Sequence, residues 1–75
     1  MPELPEVETV RRSLVPIILD KPIESVDVYY ERILQHITVR EFRKQTIGRS
    51  ILDLIRRGKY LIFQFENHLD LVAHL

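Results

Sequence analysis

The last third of the chain most constrains its fold, because residues 51–56, 60–65 and 69–75 alternate or run apolar and are broken only at Gly58 and at Asn67-His68. Apolar alternation with a period of two marks half-buried strands, and glycine or asparagine between such runs marks tight reversals. An antiparallel meander is the simplest arrangement. The first third offers a cover for it: at 3.6 residues per turn Leu4, Val7, Val10, Leu14, Ile17 and Ile18 form one apolar stripe. A helix is therefore expected from about residue 5 toward 19. It should be disturbed at Pro16, whose missing N–H and ring clash kink or end a helix, and left behind at Pro22. Thr38-Val39-Arg40-Glu41 reads as a capping box opening a short second helix, with Val39 and Phe42 inward and Gly48 just past its end. Residues 23–30 carry a strand pattern, Val26, Val28 and Tyr30 on one face and Asp27 and Tyr29 on the other. The expected class is α+β: an N-terminal helix, a short second helix and antiparallel strands. No internal repeat, low-complexity tract or linker divides the chain.

Size and charge bound the rest. A chain of 75 residues with no cysteine has no disulfide and no thiolate metal ligand, and a core of this size leaves little margin over chain entropy. No run approaches the ~18 consecutive apolar residues of a membrane span, and the acidic start lacks the basic and apolar regions of a signal peptide. A cytoplasmic location is expected. The formal net charge is zero, but its distribution is uneven. Residues 1–31 hold seven acids against three bases, and residues 32–75 hold eight bases against four acids. The basic half can face phosphate, although a solvated mixed surface is the default for any single arginine.

The first ten residues, MPELPEVETV, carry the chemistry. Removal of Met1 makes Pro2 the N-terminus. A free α-amino group has a pKa of roughly 7.7–8.0 and is partly neutral at pH 7, so it can attack an electrophilic carbon without a special pocket. A secondary amine condenses to an iminium with no N–H to lose, which favours elimination from the adduct. With Met1 retained the Pro2 nitrogen is an amide and inert. Glu3 falls within the apolar arc of the helix and Glu6 at its edge. A glutamate held on an apolar face is desolvated, which suits it to hand over a proton near neutral pH. The plainer alternative is that Pro2 and Pro5 are ordinary first-turn prolines and that Glu3, Glu6 and Glu8 complement the helix dipole.

PELPEVETVRR closely resembles the N-terminus of bacterial formamidopyrimidine-DNA glycosylases. The resemblance rests on Pro2, Glu3, Leu4, Pro5 and Glu6, with RRGK at Arg56–Lys59 and HL at His74–Leu75 in the family's order and approximate spacing. It covers all 75 residues but only the N-terminal part of a family member, so residues 1–75 are expected to be an incomplete N-terminal catalytic domain, part of the family's β-sandwich. The helix–two-turn–helix and the four-cysteine zinc finger have no counterpart here. The resemblance therefore implies no metal and no cofactor for this stretch, with a structural zinc in the region beyond it.

The resemblance also implies a function: base-excision repair by a bifunctional glycosylase and AP lyase that removes oxidised purines, 8-oxoguanine and formamidopyrimidines, from double-stranded DNA. In that scheme Pro2 forms the Schiff base at C1′, Glu3 shuttles a proton and Glu6 helps position the amine. Lys59 holds phosphate and assists elimination, and His74 lies near the DNA backbone. Read without the resemblance, Lys59 is a solvated basic turn residue and His74 an exposed strand histidine. Arg56 and Arg57 read as surface charges or phosphate neighbours, His36 and His68 as surface loop residues. For Tyr29, Tyr30, Tyr60, Phe63 and Phe65, core packing is expected for most rather than a base-stacking platform. The full-length protein is expected to be the active enzyme and a monomer associated with the nucleoid, and the 75-residue piece to be inactive alone and to self-associate through its open strand edge. Three other readings stay open. Endonuclease VIII, the sister enzyme for oxidised pyrimidines, shares Pro2 and Glu3 but usually has glycine at the place of Leu4. N-terminal-proline tautomerases begin directly with a strand. A non-catalytic interaction module would keep the scaffold alone.

Overall fold

The structure, a computed structural model, describes residues 4–74, of Leu4 the backbone alone. Helix α1 runs Leu4–Ile18 and helix α2 Val39–Thr46, and three strands follow: β1 Ile51–Arg57, β2 Tyr60–Phe65 and β3 Asp70–His74. The strands form one antiparallel sheet in the order β1-β2-β3. Each turn has a local cause. Gly58, with φ +60°, takes the first central position of the two-residue β1–β2 loop, where glycine suits a type II′ reversal. In the β2–β3 loop His68 adopts a positive φ of 64°, and Phe65 N–H donates back to the Leu69 carbonyl at 2.8 Å.

Helix α1 passes through Pro16 and ends two residues later. Leu19 N–H still donates to the Val15 carbonyl at 3.3 Å, and Asp20, in the left-handed region at φ 61°, turns the chain away before Pro22. The α2 start is the expected cap: Thr38 Oγ1 accepts from Glu41 N–H at 3.1 Å. The Glu41 carboxylate accepts from Gln45 Nε2, so the side chain runs along the helix rather than back to Thr38. Gly48, φ +80°, follows the last turn, and its N–H donates to the Ile23 carbonyl at 2.7 Å.

Residues 23–30 do not form the expected strand. Pro22 bridges Ser50 and Ile23 bridges Ile47, after which the chain is irregular until a short 3-10 turn at Glu31–Ile33. The alternation is present in burial, since Val26 and Val28 are half-buried while Asp27 and Tyr29 are exposed. What is missing is a neighbouring strand to complete a ladder, and side-chain pattern alone does not supply one.

The register sets the two sheet faces. Leu54 lies opposite Phe63 and Arg56 opposite Leu61, while Leu61 and Phe63 lie opposite Ala73 and Leu71. These side chains share the face that α1 covers, and the core is the contact of Val7, Leu54 and Leu61, with Leu14, Val15, Ile18 and Leu19 packed around it. The apolar stripe of α1 is thus rotated from its expected position. Val10 is 38 % and Ile17 62 % exposed, while Val15 and Leu19 turn inward. No helix among the described residues is long and apolar enough to cross a membrane. Leu54→Ala is expected to lower the unfolding free energy in a urea titration by about 2–5 kcal/mol, whereas Ile17→Ala should stay within about 0.5 kcal/mol of wild type.

Candidate nucleic-acid interface

The end of the sheet at the β1–β2 turn gathers basic and aromatic groups. Pairing of Arg57 with Tyr60, and of Tyr60 with His74, places these three in one row across the strands on the face away from α1. The Tyr60 and His74 rings stack with centroids 4.7 Å apart and planes tilted by 31°. Lys59 sits in the turn itself and is exposed, as are Arg57, Tyr60 and His74. The register therefore brings two of the expected DNA-contacting residues, Lys59 and His74, to the same end of the molecule. His74 is held by an aromatic neighbour instead of standing alone on its strand.

Glu6 lies in the first turn of α1 and is exposed, so the desolvation expected at the edge of the apolar arc does not reach it. Pro2 and Glu3 lie outside the described residues, as do the Leu4 side chain and Leu75. Three of the five aromatics depart from the expected core packing. Phe65 is buried and Phe63 packs against the core, but Tyr29, Tyr30 and Tyr60 are all exposed, Tyr29 at 93 %. Each tyrosine carries a hydroxyl that water satisfies at no cost, which the strand pattern ignored. Arg32 places its guanidinium 5.4 Å from the Tyr30 ring centre. His36 and His68 are exposed loop residues. An open groove of about 1140 Å³ runs between the irregular stretch, including Val26 and Val28, and strand β3, and Tyr60 and His74 belong to its wall.

The residue that sequence reasoning passed over is Glu8. Its Oε2 accepts from Arg11 Nη1 at 3.2 Å and from Arg12 Nε at 2.9 Å, and its Oε1 accepts from Arg56 Nε at 3.2 Å. Arg56 also donates through Nη1 to the Gly58 carbonyl at 3.2 Å, and Arg11 donates through Nε to the Leu54 carbonyl at 2.9 Å. Partial burial pushes the Glu8 carboxyl up, but hydrogen bonds from Arg12 and Arg56 and the charges of Arg11 and Arg12 outweigh it and hold the group below its ordinary value. The spacing Glu8-Arg11-Arg12 was a visible signal for the helical part of this cluster. The link to Arg56 was not, because it depends on which sheet face Arg56 occupies.

The zinc that the resemblance implies has no ligand set in this stretch. The chain contains no cysteine, and among the described residues no group of three or more His, Cys, Asp or Glu can hold a metal.

The whole chain, residues 1–75, matches the model of the formamidopyrimidine-DNA glycosylase N-terminal domain. The chain belongs to this family. It is 45 % identical over 75 residues to the formamidopyrimidine-DNA glycosylase of Carboxydothermus hydrogenoformans, covering 100 % of this chain and 28 % of the relative. The Mycoplasma pneumoniae glycosylase is 43 % identical, covering 100 % and 27 %. Among solved structures, Lactococcus lactis Fpg in complex with an abasic site containing DNA superposes with a TM-score of 0.89 at 40 % identity, over 97 % of this chain and 27 % of that one. The same enzyme with DNA containing N7-benzyl-Fapy-dG gives 0.89 at 41 % identity, with the same coverage. The chain thus spans roughly a quarter of the length of the relatives it matches.

A carboxyl held low in the folded state contributes stability that is complete above its unfolded pKa and lost as pH falls through the folded one. The unfolding midpoint of wild type should therefore exceed that of Glu8→Gln at neutral pH, and the gap should close as pH drops below the ordinary carboxylate range. A gap that stays constant with pH would show that Glu8 acts through shape and not through charge.

Proposed function

We propose that this chain carries the lesion-processing residues of a DNA-repair glycosylase and AP lyase acting on oxidised purines, 8-oxoguanine and formamidopyrimidines, in damaged double-stranded DNA. The observation that carries this reading is the family match over every residue of the chain. The exposed cluster of Arg57, Lys59, Tyr60 and His74 at one end of the sheet supports it, since cations there can neutralise phosphates and release counterions.

In this reading the damaged nucleotide is flipped from the duplex, because C1′ is otherwise shielded within the stack. The Pro2 nitrogen attacks C1′ as the bond to the base breaks, and the departing base takes up a proton. Glu3 supplies or shuttles the proton needed at the sugar ring, which opens to the iminium. Loss of a proton from C2′ then expels the 3′ phosphate. Glu6 helps to position the amine, Lys59 holds phosphate and assists the elimination as a compact cation and proton donor, and His74 lies along the DNA backbone. The lyase half of the activity follows from the secondary amine, whose iminium makes the C2′ proton acidic.

Two measurements test the reading. Borohydride should trap the full-length protein on duplex DNA containing 8-oxoguanine, with Pro2 as the modified residue in peptide mapping, and Pro2→Gly should slow trapping sharply. Attachment at a lysine with Pro2 intact would overturn the assignment, and faster release of oxidised pyrimidines than of 8-oxoguanine would favour the endonuclease VIII reading. Lys59→Ala should weaken binding and reduce the slope of log K against log salt by about 0.9, the value for one phosphate contact on duplex DNA. An unchanged slope would return Lys59 to the solvated turn residues.

A further inference from the structure

The position of the Lys59 turn relative to α1 has an identifiable mechanical cause. Glu8 and Arg56 are 48 residues apart in sequence, and the Nε to Oε1 contact of 3.2 Å joins them across the helix–sheet boundary. The same guanidinium reaches the carbonyl of Gly58 with Nη1 at 3.2 Å, and that carbonyl belongs to the peptide bond leading into Lys59. A two-step path thus runs from the second turn of α1 to the backbone of Lys59. Its upstream end is fixed as well. The other carboxylate oxygen of Glu8 is occupied by Arg11 and Arg12 from its own helix, and Arg11 Nε is bonded to the Leu54 carbonyl of β1. The rigid planar fork of an arginine directs two bonds from separate nitrogens at fixed angles, whereas a lysine offers one nitrogen on a flexible stem. Arg56 can do this because it shares the sheet face of Leu54 and Leu61, the face that α1 covers.

We propose that Glu8, acting through Arg56, is a positioning residue that sets the Lys59 turn at a fixed place relative to the N-terminal end of α1. The inference rests on the reading that Lys59 and the residues preceding α1 act on one nucleotide, and it assigns to Arg56 a structural bond in place of a phosphate contact. Neither Glu8 nor Arg56 touches the substrate in this scheme. Ion pairs this exposed add little to stability, whereas a displacement of about 1 Å between reacting groups can cost roughly a hundredfold in rate.

The test has a structural and a kinetic arm, run on the protein with Glu8→Gln, Arg56→Gln and Arg56→Lys. In the structural arm the backbone amides of Gly58 and Lys59 are followed by NMR through the acid range. Their shifts should follow the Glu8 titration in wild type and lose that response in Glu8→Gln and in Arg56→Gln. If both amides behave as in wild type in either variant, the tether does not exist. In the kinetic arm, single-turnover strand cleavage at 8-oxoguanine should slow by roughly tenfold or more, while DNA affinity changes by less than about twofold and the salt slope is unchanged. Arg56→Lys should be as slow as Arg56→Gln, because it keeps the charge but loses the fork. Full activity in Arg56→Lys, or a reduced salt slope in Arg56→Gln, would overturn the positioning role in favour of simple charge or of a phosphate contact. If the unsubstituted full-length protein cleaves no damaged DNA, the functional reading fails, and the amide response alone decides whether Glu8 holds the turn. Arg56→Gln leaves Glu8 its two helical partners, so it separates loss of the tether from any loss of folding in Glu8→Gln.

Discussion

Val7 has no solvent exposure, and its burial against Leu54 and Leu61 obliges α1 to lie across the β1–β2 ribbon close to the hairpin turn. Leu61 is the second residue of β2, so the contact draws the first turns of the helix toward the end of the sheet where Gly58 and Lys59 reverse the chain. Each such buried aliphatic side chain is worth about 1.5–3 kcal/mol, and there are few of them. Leu14, Val15, Ile18 and Leu19 extend the contact along the helix, and Asp20 N–H bonds the Ile51 carbonyl just past its C-terminal end. Near its N-terminal end the polar contacts to the sheet pass through Glu8 and Arg11.

That rim also explains how a chain of zero formal charge can present a basic edge. The acidic first part and the basic last part meet directly where Glu8 engages Arg56, while Arg11 and Arg12 draw the same carboxylate back toward the helix. One carboxylate thereby meets three arginines, so the junction keeps a positive balance. Arg57, one residue further along β1, faces the opposite side of the sheet beside Tyr60 and His74. Adjacent arginines in one motif thus have different surroundings because a strand alternates its faces, and a net-charge count over the motif misses the division.

Much of this was legible in the sequence, and the failures have particular causes. The meander, the Gly58 reversal and the Thr38 cap are local: each depends on a few adjacent residues and on backbone preferences that no distant contact overrides. The tilt of the α1 stripe was misread because Arg11 lies toward the sheet with its long stem inward and its Nε on the Leu54 carbonyl, a placement that hydrophobicity alone assigns to solvent. Residues 23–30 read as a strand because burial alternates there, yet a strand requires an edge to pair with, which is a property of the whole fold. At the site, Lys59 and His74 were named from sequence, but their common location follows from the register of three strands. Glu8 was discounted because its decisive partner lies 48 residues away.

In the reading proposed above the nucleophile is a terminal amine, which poses a positioning problem that an internal side chain does not. It is attached on one side only, so its direction depends on the element to which it is joined and on how firmly that element is docked. Residues 1–3 join α1 directly at Leu4, and α1 is docked by three fully buried side chains and a short chain of arginine hydrogen bonds. Exposed ion pairs contribute little free energy, so stability gives no strong reason for three arginines to converge on one carboxylate. Geometry gives one. The apolar contacts run along the helix from Val7 to Leu19, and the Glu8–Arg56 bond adds an attachment at the end nearest the Lys59 turn. Arg56 is placed for this, because it lies beyond Leu54 toward the turn and bonds to both the helix and the turn. In the proposed arrangement Glu8 and Arg56 hold α1 and the Lys59 turn as one unit, while Lys59 itself stays exposed to solvent.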